Sequence, residues 1–165
     1  MMLQHMTQQS EGSSMLDQID RKILNTLQRD GRITNQDLAA HAGISPSACF
    51  DRLRKLREQG YIADIVALLN PNKLDRALLV FIEVMLDRTT NNVFEHFAEV
   101  VKDMPEILEC HMVAGGFDYL LKVRVRDMEA YRRFLGGSLT HMTGIRETRT
   151  YAVLEEVKYS TSLPI

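Results

Sequence analysis

Residues 34–59, TNQDLAAHAGISPSACFDRLRKLREQ, admit few folds. Leu38, Ala39 and Ala42 recur at helical spacing, and Cys49, Leu53 and Leu56 do so again after a break at Gly43-Ile44. Glycine takes up the left-handed backbone that a tight turn between helices needs, and Ile44 can plug the angle between them. Ser45 can accept a bond from first-turn amides, while Pro46 stands where a missing N–H costs nothing. Thr34 followed three residues later by Asp37 comes close to a capping box. These signals together predict a helix-turn-helix.

The side opposite the apolar stripe suggests a use for it. At about 100° per residue, Ser47, Asp51, Arg54 and Lys55 point away from the stripe, with Arg52 and Arg57 on its flanks. Short side chains near the N-terminal end let a helix approach base edges, and arginines and lysine further along reach phosphates. Ser45, Ser47, Asp51, Arg52, Arg54, Lys55 and Arg57 are therefore the candidate contacts to double-stranded DNA. Taken alone, the helix is equally well read as a solvated face with an ordinary charge run. The preceding helix, the glycine turn and the capped start favour DNA.

Charge adds a constraint. The chain of 165 residues has a net charge of −2, and from Leu16 to Asn70 eight cations face seven anions. Each phosphate contact adds counterion release, so a weakly basic chain gains affinity by presenting several copies of one helix. An oligomer is expected.

The composition, 45% hydrophobic and 25% charged, is that of an ordinary soluble protein. No apolar run reaches bilayer length, and MMLQHMTQQSEGSSM lacks the basic start and apolar stretch of a signal peptide, so a cytoplasmic protein without membrane contact is expected. The two cysteines, Cys49 and Cys110, read as small core residues. No His or Cys pair has ligand spacing, and His41, His96, His111 and His141 are scattered among different elements. No nucleophile has a base at useful spacing, and Gly115-Gly116 lacks the phosphate-loop pattern. No catalytic residues, metal or cofactor are expected.

Residues 1–15 show no periodicity and read as a mobile arm. A first helix over residues 16–30, capped by Asp17, carries Leu16, Ile19, Ile23, Leu24 and Leu27 on one face and ends at Gly31. It completes a three-helix core. Residues 61–69, rich in strand formers, sit where a wing follows a recognition helix, which places a winged helix-turn-helix domain at 16–70 and a linker at 71–76. Beyond it a strand-helix-strand pattern occurs twice: strand 77–86, helix 92–104, strand 107–113, then strand 118–126, helix 128–139, strand 146–154. Two such halves make a ferredoxin-like βαββαβ domain over residues 77–156, with both helices on one face of an antiparallel sheet, followed by a tail at 157–165. The fold class is α+β. Strand 77–86 is apolar on both faces apart from Glu83, so the uncovered face is expected to meet another copy.

The segments LDQIDRKILNTLQRDGRITNQDLA, GISPSACFDRLRKLREQGYI, ALLNP, LLVFIEV, ECHMVAGGFDYLLKVRV and RTYAVLEEVK span nearly the whole chain. Through them it resembles the Lrp/AsnC, or feast/famine, family of bacterial and archaeal transcription regulators, especially its leucine-responsive members. The resemblance implies a DNA-binding domain joined to a RAM-type domain that binds a small effector, an amino acid, with dimers formed through the sheets and assembly into octamers. It implies an effector site around the loop joining the second and third strands: Gly115, Gly116, Phe117, Asp118 and Tyr119, with Thr148 and Tyr151 on the last strand as weaker candidates. Adjacent glycines let backbone N–H groups approach a carboxylate, and Asp118 can take an ammonium. The same loop also reads as a plain hairpin turn with Asp118 as its turn residue. Leucine-responsive relatives usually carry an acidic residue where this chain has Gly116. Two other readings compete with an effector-controlled regulator: an architectural protein that wraps or bridges DNA, and an enzyme built on the ferredoxin-like domain. The second lacks a visible catalytic pair.

Overall fold

The computed structural model describes residues 16–89, 91–139 and 142–165, which form two compact units. One is the chain to Ala67 together with Tyr159–Ile165; the other is Leu68–Lys158. The arm at residues 1–15 and His141 lie outside the described residues.

Three helices make the first unit: α1 (Gln18–Arg29), α2 (Asn35–Ala42) and α3 (Pro46–Glu58). Each starts at a side-chain cap. Asp17 accepts the Asp20 N–H at 2.8 Å and Asp20 returns the bond at 3.3 Å, so α1 has a full capping box. Thr34 accepts the Asp37 N–H at 3.1 Å, and Ser45 accepts that of Ala48 at 3.3 Å. The turn between α2 and α3 is Gly43, with φ of 74°. Ile23, Leu24, Leu38, Ala39, Ala42, Cys49 and Leu56 are buried together, with Leu53, Ile44 and Ile62 packed against them. Fully burying one large side chain of this kind contributes about 1.5–3 kcal/mol, so α1 supplies through Ile23 and Leu24 much of what two short helices lack.

Residues 61–69 differ from expectation. They form no ladder within the chain, and Ile65, Val66, Leu68 and Leu69 are exposed. Strand-forming residues become a strand only when a neighbouring backbone takes up their N–H and C=O groups, and the described residues bring none there. Tyr159–Ile165, expected as part of a tail outside both domains, pack instead with α1. The Gln28 side chain brackets Leu163, accepting its N–H at 2.5 Å and donating to its carbonyl at 3.1 Å, while Asn25 donates to the Ile165 carbonyl at 3.1 Å.

The second unit contains β1 (Leu78–Leu86), α4 (Val93–Lys102), β2 (Ile107–Met112), β3 (Tyr119–Val125), α5 (Met128–Phe134) and β4 (Ile145–Ala152). The sheet order is β2-β3-β1-β4, antiparallel throughout. Because side chains alternate across a strand, Val80, Ile82, Val84 and Leu86 of β1 and Tyr119, Leu121, Val123 and Val125 of β3 are buried with Val93, Phe97 and Val101 of α4 and Tyr131 and Phe134 of α5. The last turn of the α5 segment, Leu135–Leu139, widens to π geometry.

Neither α4 nor α5 covers the other face of the sheet. Phe81 lies opposite Lys122 on one side and Tyr151 on the other, and Glu83 lies opposite Leu120 and Arg149. Glu109 takes Lys122 at 2.7 Å, Glu83 takes the Tyr151 hydroxyl at 3.1 Å, and Arg124 pairs with Glu156 at 2.8 Å.

Candidate nucleic-acid interface and effector loop

Helix α3 is held in place from two directions. Asn35, at the start of α2, donates to the Pro46 carbonyl at 2.8 Å. Arg52 donates to Asp17 at 2.6 Å and Asp20 at 2.8 Å, fastening α3 to the start of α1. Those bonds hold the Asp17 carboxyl below the usual carboxylate range, the Asp20 backbone N–H contributing first and Arg52 second.

The pairing gives Arg52 partners inside its own domain, a placement the sequence did not foretell: its guanidinium is turned to Asp17 and Asp20. Ser45 likewise has its hydroxyl engaged, with the Ala48 N–H and with Ser47 at 3.1 Å. Ser47, Asp51, Arg54, Lys55 and Arg57 are exposed on the outward half of α3. Arg54 stands between Asp51 at 3.3 Å and Glu58 at 3.9 Å, pairs that are exposed and therefore readily exchanged. Phe50, not among the residues expected from sequence, is 59% exposed on the same half. Its apolar character hid it: at the edge of the stripe, it reads as core.

The loop after β2 is built around Asp118. Its N–H donates to the Val84 carbonyl and its own carbonyl accepts the Val113 N–H, each at 3.0 Å. Oδ2 accepts the Leu86 N–H at 2.8 Å, and Oδ1 accepts from Arg88 at 2.9 Å. The Leu86 N–H, and after it Arg88, keep this carboxyl below its ordinary range against the opposing effect of burial. Asp118 thus points inward to the end of β1. Within one chain it ties the loop to the sheet, and an exposed ammonium-binding position is not what this side chain offers.

Three further candidates are not brought together at the loop. Tyr119 is buried, its ring centroid 4.7 Å from that of Phe97 and 6.2 Å from that of Phe94, so it belongs to the core. Thr148 lies opposite Val84 in the ladder and Tyr151 opposite Phe81, on opposite faces of β4, so no single chain brings both to the loop. Gly115 and Gly116 are exposed, with no atom within 4 Å of where a Cβ would stand on either. Phe117 is half-buried beside them. A cleft of about 480 Å³ in this unit lies elsewhere, among Arg76, Glu106, Arg126 and Arg133 over Val125 and Phe134.

A capped helix-turn-helix with an exposed basic helix, joined to a ferredoxin-like domain with one open sheet face, defines a DNA-binding transcription regulator with a separate ligand domain. Comparison with known proteins agrees. Residues 16–63 match the winged helix-turn-helix DNA-binding family, and residues 79–163 match the Lrp/AsnC ligand binding domain. The chain belongs to the Lrp/AsnC family. It is 54% identical over 150 residues to the leucine-responsive regulatory protein of Escherichia coli, covering 91% of this chain and 92% of that one. Among solved structures, a transcriptional regulator of Neisseria meningitidis in complex with L-methionine superposes with a TM-score of 0.88 at 37% identity, covering 91% of this chain and 97% of that one. A feast or famine regulatory protein of Mycobacterium tuberculosis, also complexed with L-methionine, gives a TM-score of 0.78 at 30% identity, covering 90% and 99%. These relatives are regulators of transcription, and this chain is a regulator and not an enzyme. Among the described residues no helix is long and apolar enough to cross a membrane.

Proposed function

We propose that this regulator acts in the cytoplasm as a homo-oligomer, a dimer through its sheets and an octamer of those dimers, whose DNA affinity responds to a free amino acid. The observation that carries this reading is the loop at residues 114–118. Its two exposed glycines present bare backbone, while Asp118, the one acid within it, is committed to Leu86 and Arg88. Backbone N–H groups suit a carboxylate, and the remaining groups that would enclose an amino acid must come from another copy. The L-methionine complexes of two relatives support an amino acid as the class of ligand.

The uncovered sheet face supports the dimer. Phe81 and Met85 of β1, with Tyr151 of β4, stand on it among the paired charges of Glu109, Lys122, Arg124 and Glu156. An apolar centre with a polar rim is the usual anatomy of an interface between copies. On the DNA side, Ser47, Asp51, Arg54, Lys55 and Arg57 remain the contacting residues, and Ser45 and Arg52 act by setting the helix.

An effector must bind one assembly state better than another to shift anything. A thermal-shift screen of the full chain against the common amino acids tests this, since a ligand of the native state raises the melting temperature. A saturable shift with one amino acid is expected. No shift with any of them, in protein that binds DNA, overturns the effector reading and favours an architectural protein.

A further inference from the structure

The exposed half of α3 carries a side chain that a solvated helix does not need. Phe50 is 59% exposed and takes no part in the buried cluster of Ile23, Leu38, Cys49 and Leu56. With Leu53 it floors a shallow hollow of about 170 Å³ rimmed by Arg54, Arg57 and Glu58. An apolar floor beside two guanidinium groups complements an apolar group carried on a polyanion. In the DNA major groove thymine supplies one, through its C5 methyl.

Asp51 is equally out of place for general affinity. A carboxylate on a helix that approaches phosphates lowers binding to any sequence. In the groove it is an acceptor, and the base edges offer it donors only at the exocyclic amines of cytosine and adenine. Arg54, at 3.3 Å from Asp51, links this carboxylate to the cationic side of the helix.

Resting on the reading that α3 enters the major groove, we propose that Phe50 and Asp51 set the base preference of this regulator. Phe50 packs on a thymine methyl, and Asp51 accepts an N–H from the amine of a cytosine or adenine in the same half-site. Arg54, Lys55 and Arg57 hold the backbone.

The test uses the full chain and a duplex enriched by it from a random library. Each thymine is replaced in turn by deoxyuridine, which removes the methyl and nothing else. Loss of one buried methyl weakens binding about four-fold, and this is expected at one thymine of each half-site. With Phe50→Ala the same replacement is expected to have no effect, and because Phe50 is exposed the variant keeps its helical circular dichroism. Asp51→Asn is expected to bind random DNA more tightly and to select a library in which one cytosine or adenine position has changed.

Three results overturn the proposal: no thymine whose methyl matters to the unaltered protein, the same methyl sensitivity in Phe50→Ala, or a changed oligomer size in Phe50→Ala with unchanged DNA preference. If instead Arg54→Ala and Lys55→Ala leave DNA binding intact, the placement of α3 in the groove has itself failed.

Discussion

The Asp118 carboxylate accepts the backbone N–H of Leu86 at 2.8 Å, joining residues 32 apart in sequence and pinning the loop at residues 114–118, the candidate effector loop, to the end of β1. Removing it leaves a buried N–H without a partner, which costs about 1–3 kcal/mol. Asp118→Ala is expected to lower the urea midpoint by a corresponding amount and to lose any ligand response. Asp118→Asn keeps an acceptor for Leu86 and is expected to retain the response. If Asp118→Asn abolishes the response at unchanged stability, the side chain contacts ligand directly. Arg88→Ala, removing a partner that is 77% exposed, is expected to change stability little.

Arg52 and Arg54 separate two roles on one helix. Arg52→Ala takes away the clamp on Asp17 and Asp20 and is expected to destabilise the protein by about 1 kcal/mol, discounted for its partial exposure. Arg54→Ala is expected to leave the melting temperature unchanged while weakening DNA binding and flattening its salt dependence, since one phosphate contact is lost. Equal melting temperatures for the two variants would contradict the assignment.

Gly43 holds φ of 74° at the end of α2. Any side chain there strains the backbone by about 1–2 kcal/mol. Nothing lies within 4 Å of a Cβ at this position, so the cost is conformational and not steric. Gly43→Ala is expected to lower stability by that amount, whereas Gly43→Asn, which tolerates the left-handed region better, should lose less. Chemical denaturation of both variants provides the comparison.

Acid should unfold the protein through named carboxylates. Asp118 is lowered by the Leu86 N–H and Arg88, Asp127 by the Ala130 N–H and Arg126, and Glu109 by Lys122 and His111. Each binds its proton less readily folded than unfolded, so each contributes stability that is complete above the ordinary carboxylate values and is lost as pH falls through the folded values. The urea midpoint is expected to be flat from pH 5 to 7 and to drop below about pH 4. A midpoint independent of pH down to 3 would contradict these pairings.

Much of the fold is legible locally. Asp17, Thr34 and Ser45 announce helix starts because a cap bonds an amide two or three residues away. Alternation in β1 separates Val80, Ile82, Val84 and Leu86 from Phe81, Glu83 and Met85 without knowledge of any partner. The failures all involve distant partners. Arg52 is only a flanking cation on a helical wheel until α1 brings Asp17 and Asp20 against it. Asp118 looks like a turn residue until β1 brings Leu86 beside it. Tyr119 follows the glycine loop in sequence, yet the rings of α4 claim it for the core. Residues 61–69 have the composition of a strand, but composition cannot supply the backbone that would pair with them.

The most direct test of effector-controlled, sequence-specific DNA binding is a fluorescence anisotropy titration comparing an enriched duplex with a random one, with and without the amino acid found in the thermal-shift screen. A preference of about 10³-fold or more for the enriched duplex, altered about 5-fold or more by the amino acid, is the predicted result. Equal affinity for both duplexes, unmoved by the amino acid, would contradict it and leave a protein that only coats or wraps DNA.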